Sequence, residues 1–329
     1  MNVLESVGVR TDNILVFEST YYSLFLYLLC DDAWRGRDFL IFGDRISIES
    51  LERLKKYANV LDESYLYMPR PMPTMLKNPF NYVARKIAQK KLFAMYEYCI
   101  GHARQINNWL VETKRIQIED GTATHYELTH GDKKRGLFDI ISLKEPQKVD
   151  RIDKFIVAKD LKPLEQFEGK VVTIDFFQLW KHKSPEQKNE ILDVFDVDAS
   201  QFNLINQGCS VLFTQPLSEI NDYAEVKKIN GYKKLVQELL IEESDLVIKP
   251  HPREVTDYKL HFPGAIILKA SFPCELMPLL NVRVDKVISL SSTAGSCFLG
   301  FCNEIIYAKA PTYFDMPQKL QDSINKFDL

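Results

Sequence analysis

The chain has 329 residues, a formal net charge of −3, 26% charged residues and 46% apolar ones. That length permits two domains with sizeable cores, and the slightly acidic balance lacks the basic footprint of a nucleic-acid binder. Six cysteines (Cys30, Cys99, Cys209, Cys274, Cys297 and Cys302) form no CxxC pair and no Cys/His cluster in sequence, so they read as reduced core thiols rather than a disulfide framework or a metal centre.

"MNVLESVGVRTDN" at the N-terminus lacks the basic-then-apolar layout of a secretory signal. The longest apolar run, "YYSLFLYLLC", is about half a bilayer span. Both point to a cytoplasmic protein. "NILVF" reads as a buried strand, with a helix starting at Ser19 or Thr20, and "DFLIF" as a second strand, followed by the helical pattern "SIESLERLKKYA". Such alternation predicts a parallel sheet covered on both faces. After the Pro-rich connector "MPRPMPTM", the segment "NYVARKIAQKKL" sets Arg85, Lys86, Lys90 and Lys91 on a helix. They form either a solvated face or a basic face for an anionic membrane surface.

Residues 131–170 are charged, with short apolar islands such as "GLFDIISL", and read as the passage into a second domain. Alternation then resumes. Ser184 with Gln187 three residues on marks a helix start. "CSVLFTQPL" is a strand, "GYKKLVQELLIEE" a helix, "DLVIKPHP" and "AIILKASFPCEL" strands with their loops. "DKVISLSSTAGSCFLG" reads as strand, turn and helix, and "EIIYAKA" as a last strand. Two similar α/β units joined near the middle is the economical organisation.

In open parallel sheets, ligands bind at the carboxyl ends of strands. Four polar units fall there. "RIQIEDGTAT" places Glu119 and Asp120 after a strand, with Gly121 to turn the chain; the plain alternative is a solvated acidic turn. "IKPHPRE" locks His251 between prolines and flanks it with Lys249 and Arg253, which suits a leaving phosphate but also suits a simple turn. "SFPCEL" carries Glu275 after a proline corner, where a carboxylate can accept two ribose hydroxyls or merely complement a helix N-terminus. "LSSTAGS" sets Ser291, Ser292 and Thr293 between strand and helix, as a phosphate cradle or a plain N-cap. The standard GxxxxGK[ST] and GxGxxG motifs are missing. The one DxD, Asp196 and Asp198, trails a helix and reads as a helix-end turn, not a metal site.

Taken in order, the E-D-G unit, the HP unit, the P-x-E corner and the double Ser resemble the motif set of bacterial sialyltransferases. The "IEDGTAT" context and the "FTQPL" strand end are most similar to the family 52 lipooligosaccharide and capsule sialyltransferases. The resemblance implies an α/β, GT-B-like architecture: two Rossmann-like domains with parallel sheets facing across a cleft. An acceptor-side domain would cover 1–160 and a domain binding the cytidine monophosphate (CMP) sugar 161–329, its last helix able to pack back on the first domain. It further implies CMP-sialic acid as donor, a glycan acceptor, inversion at the anomeric carbon, and neither cofactor nor metal. Asp120 would be the base, with Glu119 the other candidate. His251 would serve the departing phosphate, helped by Lys249 or Arg253. Ser291, Ser292 and Thr293 would hold that phosphate, Glu275 the ribose, and Gln215 would join the donor site. A homodimer and a peripheral position at the inner membrane face are within what the resemblance admits. Its alternatives are a relative moving another activated sugar, such as glucose, and a silent glycan- or nucleotide-binding protein of the same fold.

Overall fold

The computed structural model describes residues 2–41, 46–62, 79–102, 112–130, 152–158, 162–220, 223–290 and 293–315. The chain divides into two compact units, Met1–Val194 and Phe195–Leu329. In the first, β1 (Ile14–Glu18), β2 (Asp38–Ile41), β3 (Asn59–Val60), β4 (Tyr98–Gly101), β5 (Lys114–Ile118), β6 (Lys154–Val157) and β7 (Val171–Thr173) make one sheet. Its order is β3-β2-β1-β4-β5-β6-β7, with every neighbouring pair parallel.

β1 is buried along its whole length: Ile14 to Phe17 are apolar, as a strand covered on both faces of a parallel sheet requires, and Glu18 ends it. The helix Tyr21–Cys30 starts where Thr20 Oγ1 accepts the Ser23 N–H at 3.3 Å, and only its Tyr22 is not buried. On the sheet, Leu15, Phe17, Leu40 and Cys99 pack against Phe93 from the helix Pro79–Phe93. Along that helix Arg85, Lys90 and Lys91 are exposed and Lys86 partly so, with Val83 and Ile87 exposed among them. Before the helix Pro185–Val194, Ser184 and Gln187 exchange the two bonds of a capping box, at 2.9 and 3.2 Å.

The division falls later than the expected boundary at 160. Backbone pairing explains why: Phe155, Ile156 and Val157 of β6 pair with Val171, Val172 and Thr173 of β7, so β7 extends the first sheet. The helix Phe176–His182 then packs on the helix Tyr21–Cys30, and the Tyr57 hydroxyl binds Asp193 at 2.9 Å. The island "GLFDIISL" and the last fourteen residues, including the expected final helix, lie outside the described residues.

In the second unit, β8 (Ser210–Phe213), β9 (Leu246–Lys249), β10 (Ile266–Ile267), β11 (Val284–Ser289) and β12 (Cys302–Tyr307) form a parallel sheet of order β10-β9-β8-β11-β12. Leu212, Ile248 and Ile288 on its strands meet Ile229, Tyr232, Leu235 and Val236 of the helix Glu225–Glu238. The helix expected after "LSST" is only a short 3₁₀ segment, Thr293–Phe298. Asp198 caps another, Ala199–Phe202, and Asp196 pairs with Lys269 at 2.5 Å, so the DxD is a turn as expected. Each sheet reverses its strand order once, between β1 and β4 in the first and between β8 and β11 in the second. Ligands of doubly wound sheets sit at such reversals.

Candidate active site

In the first unit, polar side chains gather at the carboxyl ends of β1, β4 and β5. Glu18, the last residue of β1, is fully buried and accepts a hydrogen bond from the Ser23 hydroxyl. Its Oε1 has no hydrogen-bond partner among the described residues. Gly101 makes room for it. At φ +114° a Cβ there would lie 2.4 Å from Glu18 Oε1, so no other residue fits without moving the carboxyl. Burial holds the Glu18 carboxyl well above the usual range; the Ser23 hydrogen bond opposes this and the charge of Asp120 adds to it.

Asp120 and Glu119 separate as their positions after β5 dictate, since successive side chains alternate in direction. Glu119 is 1% exposed and fully engaged: Oε1 accepts from the Tyr22 hydroxyl, and Oε2 lies 2.6 Å from His125 Nε2. Asp120 keeps 19% of its side chain exposed. Its Oδ1 accepts from Thr20 Oγ1 at 2.6 Å, its Oδ2 lies 3.7 Å from His102 Nε2, and its N–H is tied to Thr124 Oγ1 at 3.2 Å. Gly121 turns the chain at φ +84°, as expected. The arrangement is a buried carboxylate that orients its neighbours and a partly open one held by a hydroxyl. A carboxylate held in this way can accept a proton.

The sequence reading missed Glu18, Thr20, Tyr22, His102 and His125. Their only signal is position: Glu18 and Thr20 follow an apolar run at a strand end, and His102 follows a glycine there.

In the second unit, His251 to Glu254 form a turn closed by the Glu254 N–H to the His251 carbonyl at 2.9 Å, with Pro252 in its favoured second position. The Arg253 N–H donates to His251 Nδ1 at 3.1 Å. With Nδ1 accepting, the proton of the neutral ring sits on Nε2. The rigidity expected from the prolines has a second source, Glu254. Its carboxylate accepts from the His251 N–H at 2.7 Å, the Tyr258 hydroxyl at 2.6 Å and the Thr214 hydroxyl. It also lies 3.4 Å from the Nζ of Lys228, a fully buried lysine that binds Glu219 at 2.8 Å and Thr256 at 2.6 Å. Gln215 is held by its N–H on the Tyr232 hydroxyl at 2.7 Å.

Lys249, expected at the phosphate, is buried, donates to the carbonyls of Pro250 at 3.2 Å and Ala270 at 3.1 Å, and lies 4.4 Å from the Phe272 ring centre. Burial lowers its pKa to about 8, against the nearby Cys274, Glu275 and Glu254. It braces the loop after β10. Glu275 is 8% exposed, just before the short helix Leu276–Leu279. Ser291 and Ser292 lie outside the described residues, as does the side chain of Thr293. Cysteines scattered in sequence also meet: the ligand atoms of Cys274, Glu275 and Cys297 lie within 4.8 Å of one another.

Two parallel α/β units, each with polar residues at its strand reversal, define a fold of the GT-B kind. Solved structures agree. An α/β-galactoside α-2,3-sialyltransferase from Photobacterium phosphoreum aligns over 97% of this chain and 98% of its own, at TM-score 0.56 and 11% identity. A 2,6-sialyltransferase from Photobacterium sp. JT-ISH-224, solved with CMP and lactose, aligns over 95% of this chain and 75% of its own, at TM-score 0.58 and 14% identity. The GT-B domain of a Photobacterium damselae sialyltransferase aligns over 95% and 96%, at TM-score 0.53 and 13% identity.

At the level of sequence, the glycosyltransferase family 52 model matches residues 155–308. A Haemophilus influenzae protein described as uncharacterized is 34% identical over 209 residues, 62% of this chain and 67% of its own. The chain belongs to glycosyltransferase family 52.

Proposed function

We propose that this glycosyltransferase moves sialic acid from CMP-sialic acid, with inversion, onto a terminal sugar of a bacterial surface glycan. Galactose in an α2,3 linkage, on lipooligosaccharide or capsule, is the acceptor we favour. The observation that carries the reading is the carboxylate pair after β5, with Asp120 partly open and hydroxyl-bound beside a buried Glu119.

In this scheme Asp120 takes the proton of the attacking acceptor hydroxyl as the new glycosidic bond forms. The bond from sialic acid to the CMP phosphate breaks, and the charge gathering on that phosphate is met by His251 Nε2–H, by Arg253, and by the hydroxyls and N–H groups around Ser291, Ser292 and Thr293. Glu275 and Gln215 contact the nucleoside. Neither metal nor cofactor takes part, since Arg253 and hydrogen-bond donors of the chain answer the phosphate charge.

Among the described residues, no helix is long and apolar enough to cross a membrane. The exposed Arg85, Lys90 and Lys91 with Val83 and Ile87 fit a peripheral contact with anionic lipid at the inner membrane face. We place the enzyme there, as a monomer or homodimer.

Release of CMP from CMP-sialic acid in the presence of a galactose-terminated acceptor, with the product linkage read by NMR, tests the reading. Turnover of a glucosyl donor instead would identify a relative with another sugar. Donor binding without turnover would identify a silent binding protein.

A further inference from the structure

We propose that Cys274, Glu275 and Cys297 form a binding site for a soft divalent cation of the zinc type. Cys274 and Glu275 precede the helix Leu276–Leu279, and Cys297 lies in the 3₁₀ segment Thr293–Phe298, so two loops far apart in sequence bring their ligand atoms within 4.8 Å of one another. In a tetrahedral zinc site with Zn–S bonds near 2.3 Å, neighbouring sulfurs stand about 3.8 Å apart. The three side chains therefore need to close by no more than about 1 Å to hold the ion.

Two thiols and one carboxylate are a zinc-type donor set, poorly matched to magnesium or calcium. Both thiols already point at one acceptor, the Ala294 carbonyl, 2.9 Å from Cys297 Sγ and 3.8 Å from Cys274 Sγ. A divalent ion displaces those two thiol protons, which leave to solvent, and the thiolates and the carboxylate then bind it with a water in the fourth position. Cys297 and Glu275 are each 8% exposed while Cys274 is more open, which gives the ion a way in. One consequence rests on the functional reading above: if Glu275 holds the donor ribose, cation and nucleotide compete for one carboxylate.

The test is titration of the reduced, metal-free protein with Co²⁺, followed by Zn²⁺. The expected result is one equivalent of Co²⁺ giving a thiolate-to-metal charge-transfer band in the near ultraviolet, bleached by Zn²⁺, with proton release in calorimetry. Cys274→Ser and Cys297→Ser should each lose the band or weaken binding at least tenfold. Cys302→Ser, equally folded by circular dichroism, should keep it. No band in the wild type, or a band unchanged in both Ser variants, overturns the site. Added CMP should weaken Co²⁺ binding. A band indifferent to saturating CMP upholds the cation site and removes Glu275 from the ribose, so the two readings fail separately.

Discussion

The backbone N–H of His251 donates to Glu254 Oε2 at 2.7 Å, and through that bond the imidazole's turn is fastened to the interior of the second unit. Glu254 in turn stands beside the buried ammonium of Lys228. Removing one member of such a network leaves a buried charge short of its partner. Glu254→Ala should therefore lower stability by about 3 kcal/mol and weaken CMP binding as the turn loosens. Glu254→Gln, which keeps one acceptor oxygen, should lose less of both. Urea unfolding and CMP titration of the two variants check this; equal CMP affinity in wild type and Glu254→Ala would show that the turn holds itself.

His251 accepts the Arg253 N–H on Nδ1, so a neutral ring offers an Nε2–H hydrogen bond to a phosphate. To act as an imidazolium acid it must first give up that backbone bond. His251→Ala should cut turnover by about 10²-fold or more in either role. Gln places an amide N–H close to the Nε2 position but carries no transferable proton. His251→Gln should therefore recover at least tenfold over Ala if hydrogen bonding is the role, and nothing if proton transfer is. Steady-state kcat for the pair decides.

The elements of this fold are legible because each carries a local signal. β1 is an apolar run, the Ser184–Gln187 box opens a helix, and Thr20 caps another within a residue of expectation. What escapes is whatever depends on distant residues meeting. Glu18, His102 and Asp120 are about a hundred residues apart in sequence at most, yet adjacent strands carry them to one sheet end. Glu254 stood in plain view beside the HP unit, but its partners Thr214 and Lys228 belong to other elements. The same holds for Lys249, whose inward direction is set by Ala270 and Phe272, and for Cys274 with Cys297.

Glu18 gives the first unit a pH signature. Its folded pKa lies above the ordinary value of 4.5, because of burial first and the charge of Asp120 after the opposing Ser23 bond. Between the unfolded and folded values the native state binds a proton that the unfolded chain lacks. This stabilisation is complete below about 4.5 and is lost as pH rises through the folded pKa. Glu18→Gln is neutral at every pH. Its stability relative to wild type should rise with pH above about 4.5, by up to about 1.4 kcal/mol per pH unit within that window. Urea midpoints at pH 4.5 and pH 8 measure it; a difference that does not grow with pH would mean the carboxylate is accommodated as an ion.

Chelation separates the transfer chemistry from any bound cation. Activity should persist in excess EDTA, because the groups assigned to the phosphate are side chains and N–H groups of the chain. If a zinc-type ion occupies Cys274, Glu275 and Cys297, chelation should raise the rate at low donor concentration. Complete loss restored by Mg²⁺ or Mn²⁺ would sink the proposed phosphate site.

The base is the sharpest choice. Glu119 is buried with both oxygens engaged, by Tyr22 and by His125, so a substrate hydroxyl would have to displace a partner to reach it. Asp120 is partly open, and Thr20 fixes one oxygen while Oδ2 stands only 3.7 Å from His102. Asp120→Asn is nearly isosteric and cannot accept the acceptor's proton. It should lower kcat by at least about 10²-fold with little change in donor affinity, and abolish the acidic limb of the pH–rate profile. Glu119→Gln keeps a bond to Tyr22 or to His125 but loses the charge that faces them. It should cost less than tenfold in kcat and retain that limb, with part of its effect appearing as lower thermal stability. Profiles of both variants with the same acceptor are the measurement. If Glu119→Gln is the inactive enzyme and Asp120→Asn keeps most of its rate, the base has been assigned to the wrong carboxylate, while the identity of the transferred sugar is untouched.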